Sequence, residues 1–266
     1  MTDVFALSAA EHDFFCAAAR RAAIELDLFP LLAASDSEIA GSLGLPPRRL
    51  AILLRALRQH GVLDDKGPSD VPPSDFAELA EVIRIDRPLD AQHHTSRWQA
   101  QLCTIGQAAA AELAPWLLAL STRRTLLDLG GGLGTYARAF AAGGGAATVI
   151  DRKEIIDQAA PGEGVCFVSG DIFRCQQNGF GVALLSNVLH WYSEAECAAL
   201  CAHARTLGEH VVVKDLDVRS GRGVWFALTM ALYSQAGDLY DAEQIVQWLG
   251  GQASVRSEAD QVVVWT

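Results

Sequence analysis

The stretch Thr125–Gly134, which reads TLLDLGGGLG, is the part of this chain that best indicates its fold. A short apolar run carries the acid Asp128, and four glycines follow within the five residues 130–134. The next residues, 135–140, have the character of a helix start. A strand, a glycine-rich turn and a helix in this order form a site for a nucleotide-like ligand, because glycine lets the ligand approach the backbone closely. A tight turn alone needs one glycine, so four of them favour a ligand-binding loop.

Five short apolar runs after residue 121 predict a parallel sheet. Each run is β-branched or rich in Leu and is apolar on both faces, and the runs alternate with helical patterns, which indicates helices on both sides of the sheet. The tail adds the runs 254–258 and 261–265, which we expect to pair antiparallel at the sheet edge. The five parallel runs are Thr125–Leu129, Ala147–Asp151, Val165–Ser169, Val182–Asn187 and Val211–Asp215.

Length and charge limit the function further. The 266 residues suffice for one large domain or for one domain with a smaller one, and 50% of them are hydrophobic. The formal net charge of −11 argues against a nucleic-acid partner, because phosphate binding needs clustered Lys and Arg. No signal pattern and no apolar run of membrane-spanning length is visible, so we expect a cytoplasmic protein without a membrane partner.

The first part of the chain predicts helices over about 9–29, from 35 and from 46, followed by a small hairpin. This is the order of a winged-helix unit, which often binds DNA. The third predicted helix carries four arginines, but the segment after it is rich in Asp and Glu, which repel phosphate. We therefore favour a packing or dimerisation unit over a DNA reader. The four arginines are Arg48, Arg49, Arg55 and Arg58.

Acids follow the second and third predicted strands. Ligands of an open α/β sheet bind beyond the carboxyl ends of its strands, where Asp151 can accept hydrogen bonds from ribose hydroxyls. At the third strand end, Asp171 can accept from an adenine amine while Ile172 and Phe173 pack on the ring. The alternative for Asp171 is a helix N-cap. Together with the glycine loop, these residues predict an adenosine site.

A histidine and an acid follow the next two strands. His190 lies just past the fourth strand, and a histidine can act as a general base near neutral pH. Asp215, at the end of the fifth strand, can orient the imidazole and stabilise its charged form if the two meet in space. The alternative makes His190 a structural hydrogen-bonding group and Asp215 a cap.

The six cysteines are scattered and form no CxxC pair, so we interpret them as buried thiols in a reducing compartment. Cys197, Cys201 and His203 resemble metal ligands only superficially. Cys197 and Cys201 share a helix face, whereas His203 points elsewhere, and tetrahedral zinc needs four convergent ligands. We expect no metal in this protein.

Five segments together resemble the small-molecule O-methyltransferases that use S-adenosylmethionine. The stretch 126–134 is similar to motif I of S-adenosylmethionine-dependent methyltransferases. The stretch 185–197 resembles the LHxW-type segment of the small-molecule O-methyltransferases of plants and bacteria. The segments 170–173, 207–215 and 226–249 fit the same family in order and spacing.

The resemblance implies an α/β protein with a Rossmann-like, seven-stranded methyltransferase sheet and an N-terminal α-helical winged-helix dimerisation domain. We expect the dimerisation domain in 1–90, a helical connector in 91–120 and the S-adenosylmethionine-binding domain in 121–266, with a homodimer formed through the first. Four family positions that hold the cofactor are matched by Gly130, Asp151, Asp171 and Ile172. The full set of expected cofactor residues is Asp128, Gly130, Gly132, Asp151, Asp171, Ile172, Phe173 and Ser186.

The expected reaction is methyl transfer to a hydroxyl of a small, flat, aromatic metabolite. The resemblance implies that His190 is the general base and that Asp215 positions it. An apolar, aromatic-lined pocket suits such an acceptor. We expect the pocket walls to include Trp98, Trp191, Met230 and Tyr233.

Three departures from the family pattern leave alternatives open. Trp191 stands where the family usually has Asp after the histidine, Ser186 stands where many members have Lys, and the segment 237–239 lacks a second Glu. N- or C-methylation of a heterocyclic intermediate, or non-methylating chemistry on the same fold, are therefore alternatives. A nicotinamide oxidoreductase, which would use the match of 132–137 to the dinucleotide pattern, and a ligand-sensing winged-helix regulator come from other classes.

Overall fold

A computed structural model describes residues 8–72, 74–90, 95–258 and 260–266, with the side chains of 95–105 and 258 outside this description. Ten α-helices and seven strands are formed within those ranges. The helices are α1 Ala9–Glu25, α2 Asp36–Leu43, α3 Pro47–Gln59, α4 Leu79–Ile85, α5 Thr95–Leu120, α6 Thr135–Ala142, α7 Lys153–Ile156, α8 Glu194–Ala204, α9 Gly221–Tyr233 and α10 Ala242–Trp248. The strands are β1 Thr125–Leu129, β2 Ala146–Asp151, β3 Val165–Ser169, β4 Phe180–Ser186, β5 Gly208–Leu216, β6 Ser254–Glu258 and β7 Gln261–Trp265.

The seven strands form one sheet in the order β3-β2-β1-β4-β5-β7-β6. Strands β1 to β5 are parallel, and β7 runs antiparallel to both β5 and β6. This confirms the predicted seven-stranded sheet and its antiparallel edge. Strands β4 and β5 begin two and three residues before the predicted starts at Val182 and Val211, because their ladder continues into Phe180 and Gly208. The strand order reverses between β1 and β4, which is where α/β sheets bind ligands.

Short helices begin where their sequences supply caps. Ser35 accepts a hydrogen bond from the Glu38 backbone N–H at 3.4 Å, and the Glu38 carboxylate accepts from the Ser35 N–H at 2.9 Å. This capping box satisfies two donors at the start of α2, and the same arrangement of Ser193 and Glu196 starts α8. Gly44 ends α2 with a φ of 62°, a conformation that glycine adopts without a Cβ penalty.

Helix α5, with 26 residues, is the longest described helix and forms most of the predicted connector. Its Ala110 and Leu113 are buried against the sheet together with Phe140 of α6. Among the helices of the described ranges, none combines the length and apolar character needed to cross a membrane.

The N-terminal helices share their core with α9, which lies far along the chain. Trp225 of α9 is fully buried and belongs to the same apolar cluster as Leu50 and Leu54 of α3 and Val82 of α4. The division at residue 121 stays a prediction, but this core shows that the helical unit includes a part of the C-terminal half.

The small hairpin expected after α3 is not formed within residues 62–72. The segment holds Asp64, Asp65 and Lys66 followed by Pro68 and Pro72, and no strand is assigned to it. Prolines lack the backbone donor that a ladder needs, and the charges leave no apolar face to bury. The helices of the predicted winged-helix unit are present, whereas its wing is not found among these residues.

The four arginines of α3 are engaged by the protein itself. Arg58 donates to the carbonyl of Ala34 at 3.1 Å and pairs with Asp36. Arg55 pairs with Asp238. Arg48 and Arg49 both donate to the Ser234 carbonyl, at 3.0 and 3.1 Å. This helix therefore joins the N-terminal unit to the residues after α9, which supports the packing interpretation over DNA binding.

Candidate functional site

A cleft of about 1140 Å³ opens at the carboxyl ends of β1 to β4, at the reversal of strand order. Pockets that bind one drug-sized ligand have volumes of roughly 300–1,000 Å³, so this cleft is large enough for a cofactor with a small acceptor beside it. All eight residues predicted to bind the cofactor line this cleft. They are Asp128, Gly130, Gly132, Asp151, Asp171, Ile172, Phe173 and Ser186.

The backbone conformation and the packing of the loop require glycine at several positions, apart from any need to admit a ligand. Gly130, Gly132 and Gly134 have φ values of 74°, 60° and 81°, where other residues are strained. A Cβ on Gly130 would lie 2.9 Å from a methyl of Val188, and one on Gly134 would lie 2.8 Å from the Phe167 ring. Part of the glycine cluster therefore serves the close packing of loop and sheet, and the remainder leaves backbone exposed to the cleft.

Asp128 is a buried acid whose oxygens have no hydrogen-bond partner among the described residues. It is 0% exposed, and it lies on the cleft wall. Burial, and then the charge of Asp151, raises the pKa of the Asp128 carboxyl to about 7. An unpaired buried carboxylate is costly, so Asp128 fits a ligand that brings a cationic or hydrogen-bond-donating group.

Asp151 ties the end of β2 to the glycine loop. One carboxylate oxygen accepts from the Gly132 backbone N–H at 2.9 Å, and the other accepts from the Arg152 N–H at 2.7 Å. Each oxygen has a further lone pair, so a half-buried Asp151 can still accept from hydroxyls in the cleft. The same carboxylate can thus shape the loop and bind a sugar.

The segment after β3 supplies an acid and two apolar walls. Asp171 accepts from the Phe173 backbone N–H at 2.9 Å, which closes a turn, and no helix begins there. The helix-cap alternative is therefore not realised. Ile172 is 7% exposed, and the Phe173 ring packs edge-on against Tyr192 with centroids 5.0 Å apart. These side chains form an apolar wall beside an exposed carboxylate.

His190 and Asp215 meet as the sequence predicted. The His190 Nδ1 and an Asp215 carboxylate oxygen are 2.7 Å apart, and both side chains are about 5% exposed. Asp215 also accepts from the His190 backbone N–H at 3.4 Å and from the Leu216 N–H at 2.8 Å. An ionised Asp215 requires the proton on Nδ1, so Nε2 is the nitrogen left to act as a base.

The imidazole lies behind the cleft wall. His190 is not among the lining residues, whereas the neighbouring Trp191 is, and the His190 ring packs edge-on against Phe226 with centroids 5.1 Å apart. The His190 and Trp191 ring centroids are 5.7 Å apart, so the fixed imidazole lies directly behind the cleft lining.

The predicted pocket residues have different positions. Trp191 and Tyr233 line the cleft, but Met230 is 1% exposed and is not a lining residue. Its position on the inner face of α9 places it in the protein interior. Trp98 falls in the part of α5 whose side chains are outside the described residues. The Tyr233 hydroxyl donates to Asp75, and burial raises its pKa.

Several lining residues were not identified from the sequence. Tyr192 stands two positions after His190, and Tyr136 is the second residue of α6, so spacing from the recognised motifs could have suggested both. Asp90 and Gly106 also line the cleft, and no local pattern marks them because their neighbours in space are far along the chain.

The cysteines that the structure describes are free thiols. Cys197 donates to the Leu189 carbonyl at 3.2 Å, and burial raises the pKa of Cys201 to about 12. Within the described residues, no three His, Cys, Asp or Glu side chains come together as metal ligands do. The expectation of a metal-free protein stays a prediction.

Comparison with known proteins identifies the family. A model described as an O-methyltransferase domain matches residues 96–235, more than half of the chain, whereas no curated protein matches it. The fold is similar to that of an O-methyltransferase family 2 protein from Planctomyces limnophilus in complex with apigenin (TM-score 0.72, 18% identity, 100% of this chain and 98% of that one). An O-methyltransferase family protein from Burkholderia thailandensis is also similar (TM-score 0.63, 19% identity, 94% of this chain and 93% of that one).

Human N-acetylserotonin methyltransferase, crystallised with SAM, shares the fold as well (TM-score 0.55, 18% identity, 95% of this chain and 93% of that one). These likenesses agree with the fold and the sheet order described above. The chain therefore belongs to the O-methyltransferase domain family of S-adenosylmethionine-dependent methyltransferases.

Proposed function

We propose that this protein methylates a hydroxyl of a small, flat, aromatic metabolite with His190 as general base. The observation that carries the proposal is the buried His190–Asp215 pair, 2.7 Å apart, at the border of a cleft with aromatic walls. Trp191 and Tyr192, which line the cleft, directly follow His190 in sequence. Tyr233, a third lining residue, precedes Ser234, whose hydroxyl donates to the Trp191 carbonyl. Flat rings pack well against such walls.

The residues of the other end of the cleft fit S-adenosylmethionine. Asp128 would neutralise the ammonium of its methionine part, and Asp151 would accept from its ribose hydroxyls. Ile172 and Phe173 would pack against the adenine, with Asp171 near its amine. S-adenosylmethionine supplies an electrophilic methyl group on a sulfonium. Gly130, Gly132 and Ser186 would shape the backbone and floor around it.

His190 would act on the acceptor rather than on the methyl donor. Its Nε2 takes the acceptor's hydroxyl proton while Asp215 holds the ring and stabilises the imidazolium. Alignment of the acceptor oxygen with the methyl group contributes further, because a near-attack geometry removes several kcal/mol of the barrier. Asp215 is thus a positioning residue for the base.

The test is a screen for methylated products. Flat phenols, flavones such as apigenin and nitrogen heterocycles are incubated with the protein and S-adenosylmethionine, and product masses are measured. We expect a mass increase of one CH2 on a hydroxylated aromatic and none on its O-blocked analogue. Methylation of an amine or a ring nitrogen by both the wild type and His190→Ala would replace this proposal with N-methylation.

We also propose a homodimer through the N-terminal helices. The apolar side chains of Ile24 and Ile85 are 41% and 53% exposed at the ends of α1 and α4. The Arg84 guanidinium donates to the Glu25 carbonyl, which brings these two ends together. Analytical ultracentrifugation tests this at protein concentrations above and below about 1 μM, the dissociation constant that corresponds to an association free energy of roughly −8 kcal/mol. A monomer at every concentration would refute the dimer.

A further inference from the structure

Arg48 connects α3 with a segment that lies almost 190 residues later. Its guanidinium donates to the Ser234 carbonyl at 3.0 Å and to the Gly237 carbonyl. Arg49 donates to the same Ser234 carbonyl, but its other terminal nitrogen donates to the Asp86 carboxylate at 3.0 Å. Among the described arginines of α3, Arg48 alone reaches the carbonyls at both ends of the segment 234–237.

That segment in turn holds the histidine turn. The buried Ser234 hydroxyl donates to the Trp191 carbonyl at 3.0 Å and accepts from the Gly237 N–H at 2.7 Å. Gly237 lies so close that a Cβ on it would stand 2.1 Å from the His190 carbonyl oxygen. The segment 234–237 is therefore in direct backbone contact with His190 and Trp191.

The turn itself is a short 3-10 element over Leu189–Trp191. It has two internal hydrogen bonds, from the Trp191 N–H to the Val188 carbonyl at 3.2 Å and from the Tyr192 N–H to the Leu189 carbonyl at 3.0 Å. Such short elements are weak by themselves. The position of His190 thus depends on contacts from outside, which Asp215 supplies on one side and Ser234 on the other.

We propose that Arg48 is a positioning residue for the His190 turn, acting through Ser234 and Gly237. The N-terminal helices would then have a role in the reaction as well as in packing, because they fix the base and the Trp191 wall of the cleft. The catalytic meaning of this inference rests on the proposed function of His190, whereas the positioning itself does not.

The positioning is tested without any acceptor. Hydrogen exchange of the backbone amides of 190–192 is measured by mass spectrometry in the wild type and in Arg48→Met. We expect exchange in this peptide to become about tenfold faster, since a local opening would cost less. Binding of S-adenosylhomocysteine, measured by calorimetry, should stay within about twofold, because the Asp128 and Asp151 end is not touched.

Arg58→Met is the matched control. Arg58 lies on the same helix and also donates to two carbonyls, but its partners Leu32, Ala34 and Asp36 all lie between the end of α1 and the first residue of α2. This variant should leave the 190–192 peptide unchanged. Equal exchange in Arg48→Met and Arg58→Met, whether both fast or both at the wild-type rate, would overturn the proposal.

Ser234→Ala keeps every arginine contact to the backbone and removes the two hydrogen bonds of the hydroxyl, to the Trp191 carbonyl and from the Gly237 N–H. It carries the test if Arg48→Met does not fold, and we expect the same faster exchange at 190–192. With an acceptor in hand, kcat should fall about tenfold in both variants while KM for S-adenosylmethionine is unchanged. If His190→Ala retains full turnover, the proposed function fails, yet the exchange result still decides the role of Arg48.

Discussion

The two ends of the cleft are constructed in opposite ways. At the proposed cofactor end, Asp128 has no hydrogen-bond partner among the described residues, and Asp151 keeps lone pairs toward the cleft. At the proposed acceptor end, His190 is already bonded to Asp215, and Tyr233 to Asp75. The first end is completed by its ligand, whereas the second is fixed by the protein before any ligand arrives. Binding energy should therefore be concentrated at one end and orientation at the other.

The largest expected effect is at the acceptor end. His190→Ala removes the proposed base, and kcat for a hydroxyl acceptor should fall by roughly 10²–10⁴-fold. The dissociation constant for S-adenosylhomocysteine should stay within about twofold, because none of the eight expected cofactor residues is changed. Steady-state kinetics and calorimetry measure the two quantities. A large loss of affinity with unchanged kcat would reverse the assignment of the two ends.

Asp151→Ala should weaken binding at the cofactor end. The change removes the carboxylate that accepts from Gly132 and would accept from the ribose, and hydrogen bonds to charged groups contribute about 1.5–3 kcal/mol. We expect the dissociation constant for S-adenosylhomocysteine to rise about 10–100-fold by calorimetry. Asp13→Ala, which removes an exposed acid of α1 that does not line the cleft, is the control and should change nothing.

The pH dependence of cofactor affinity sharpens the same contrast. Burial raises the pKa of Asp128 to about 7, so the free protein carries a neutral carboxyl below that pH. A ligand with an ammonium group favours the ionised form of Asp128. Below pH 7, each pH unit then lowers the affinity for this ligand about tenfold. Affinity for S-adenosylhomocysteine should rise with pH up to about 7 and then level off. Asp128→Asn should flatten the curve, and an equal slope in both proteins would contradict this role.

The smallest effect is expected from Tyr233→Phe. The ring stays as a wall of the cleft, and the hydrogen bond of the hydroxyl to Asp75, worth about 1 kcal/mol, is lost. The melting temperature should fall by about 2–4 °C in scanning calorimetry. Asp75→Asn keeps an acceptor oxygen and should lower it less. A loss of activity as large as that of His190→Ala would show that the Tyr233 hydroxyl acts on the acceptor.

The sheet and the residues of the proposed cofactor end could be predicted from the sequence. The parallel strands contain short apolar runs, and the carboxyl ends of parallel strands meet at one edge, so Asp128, Asp151 and Asp171 were expected to lie together. The pairing of His190 with Asp215 follows from the same rule, because β4 and β5 are neighbours. These inferences need only local periodicity and the order of strands.

Only the tertiary structure decided how the acceptor end is held. The bonds from Arg48 to Ser234 and Gly237 and the burial of Met230 leave no local pattern in the sequence. The physical reason is distance along the chain. An arginine on an amphipathic helix looks the same whether it faces water, phosphate or a carbonyl 186 residues away, and packing alone selects among them.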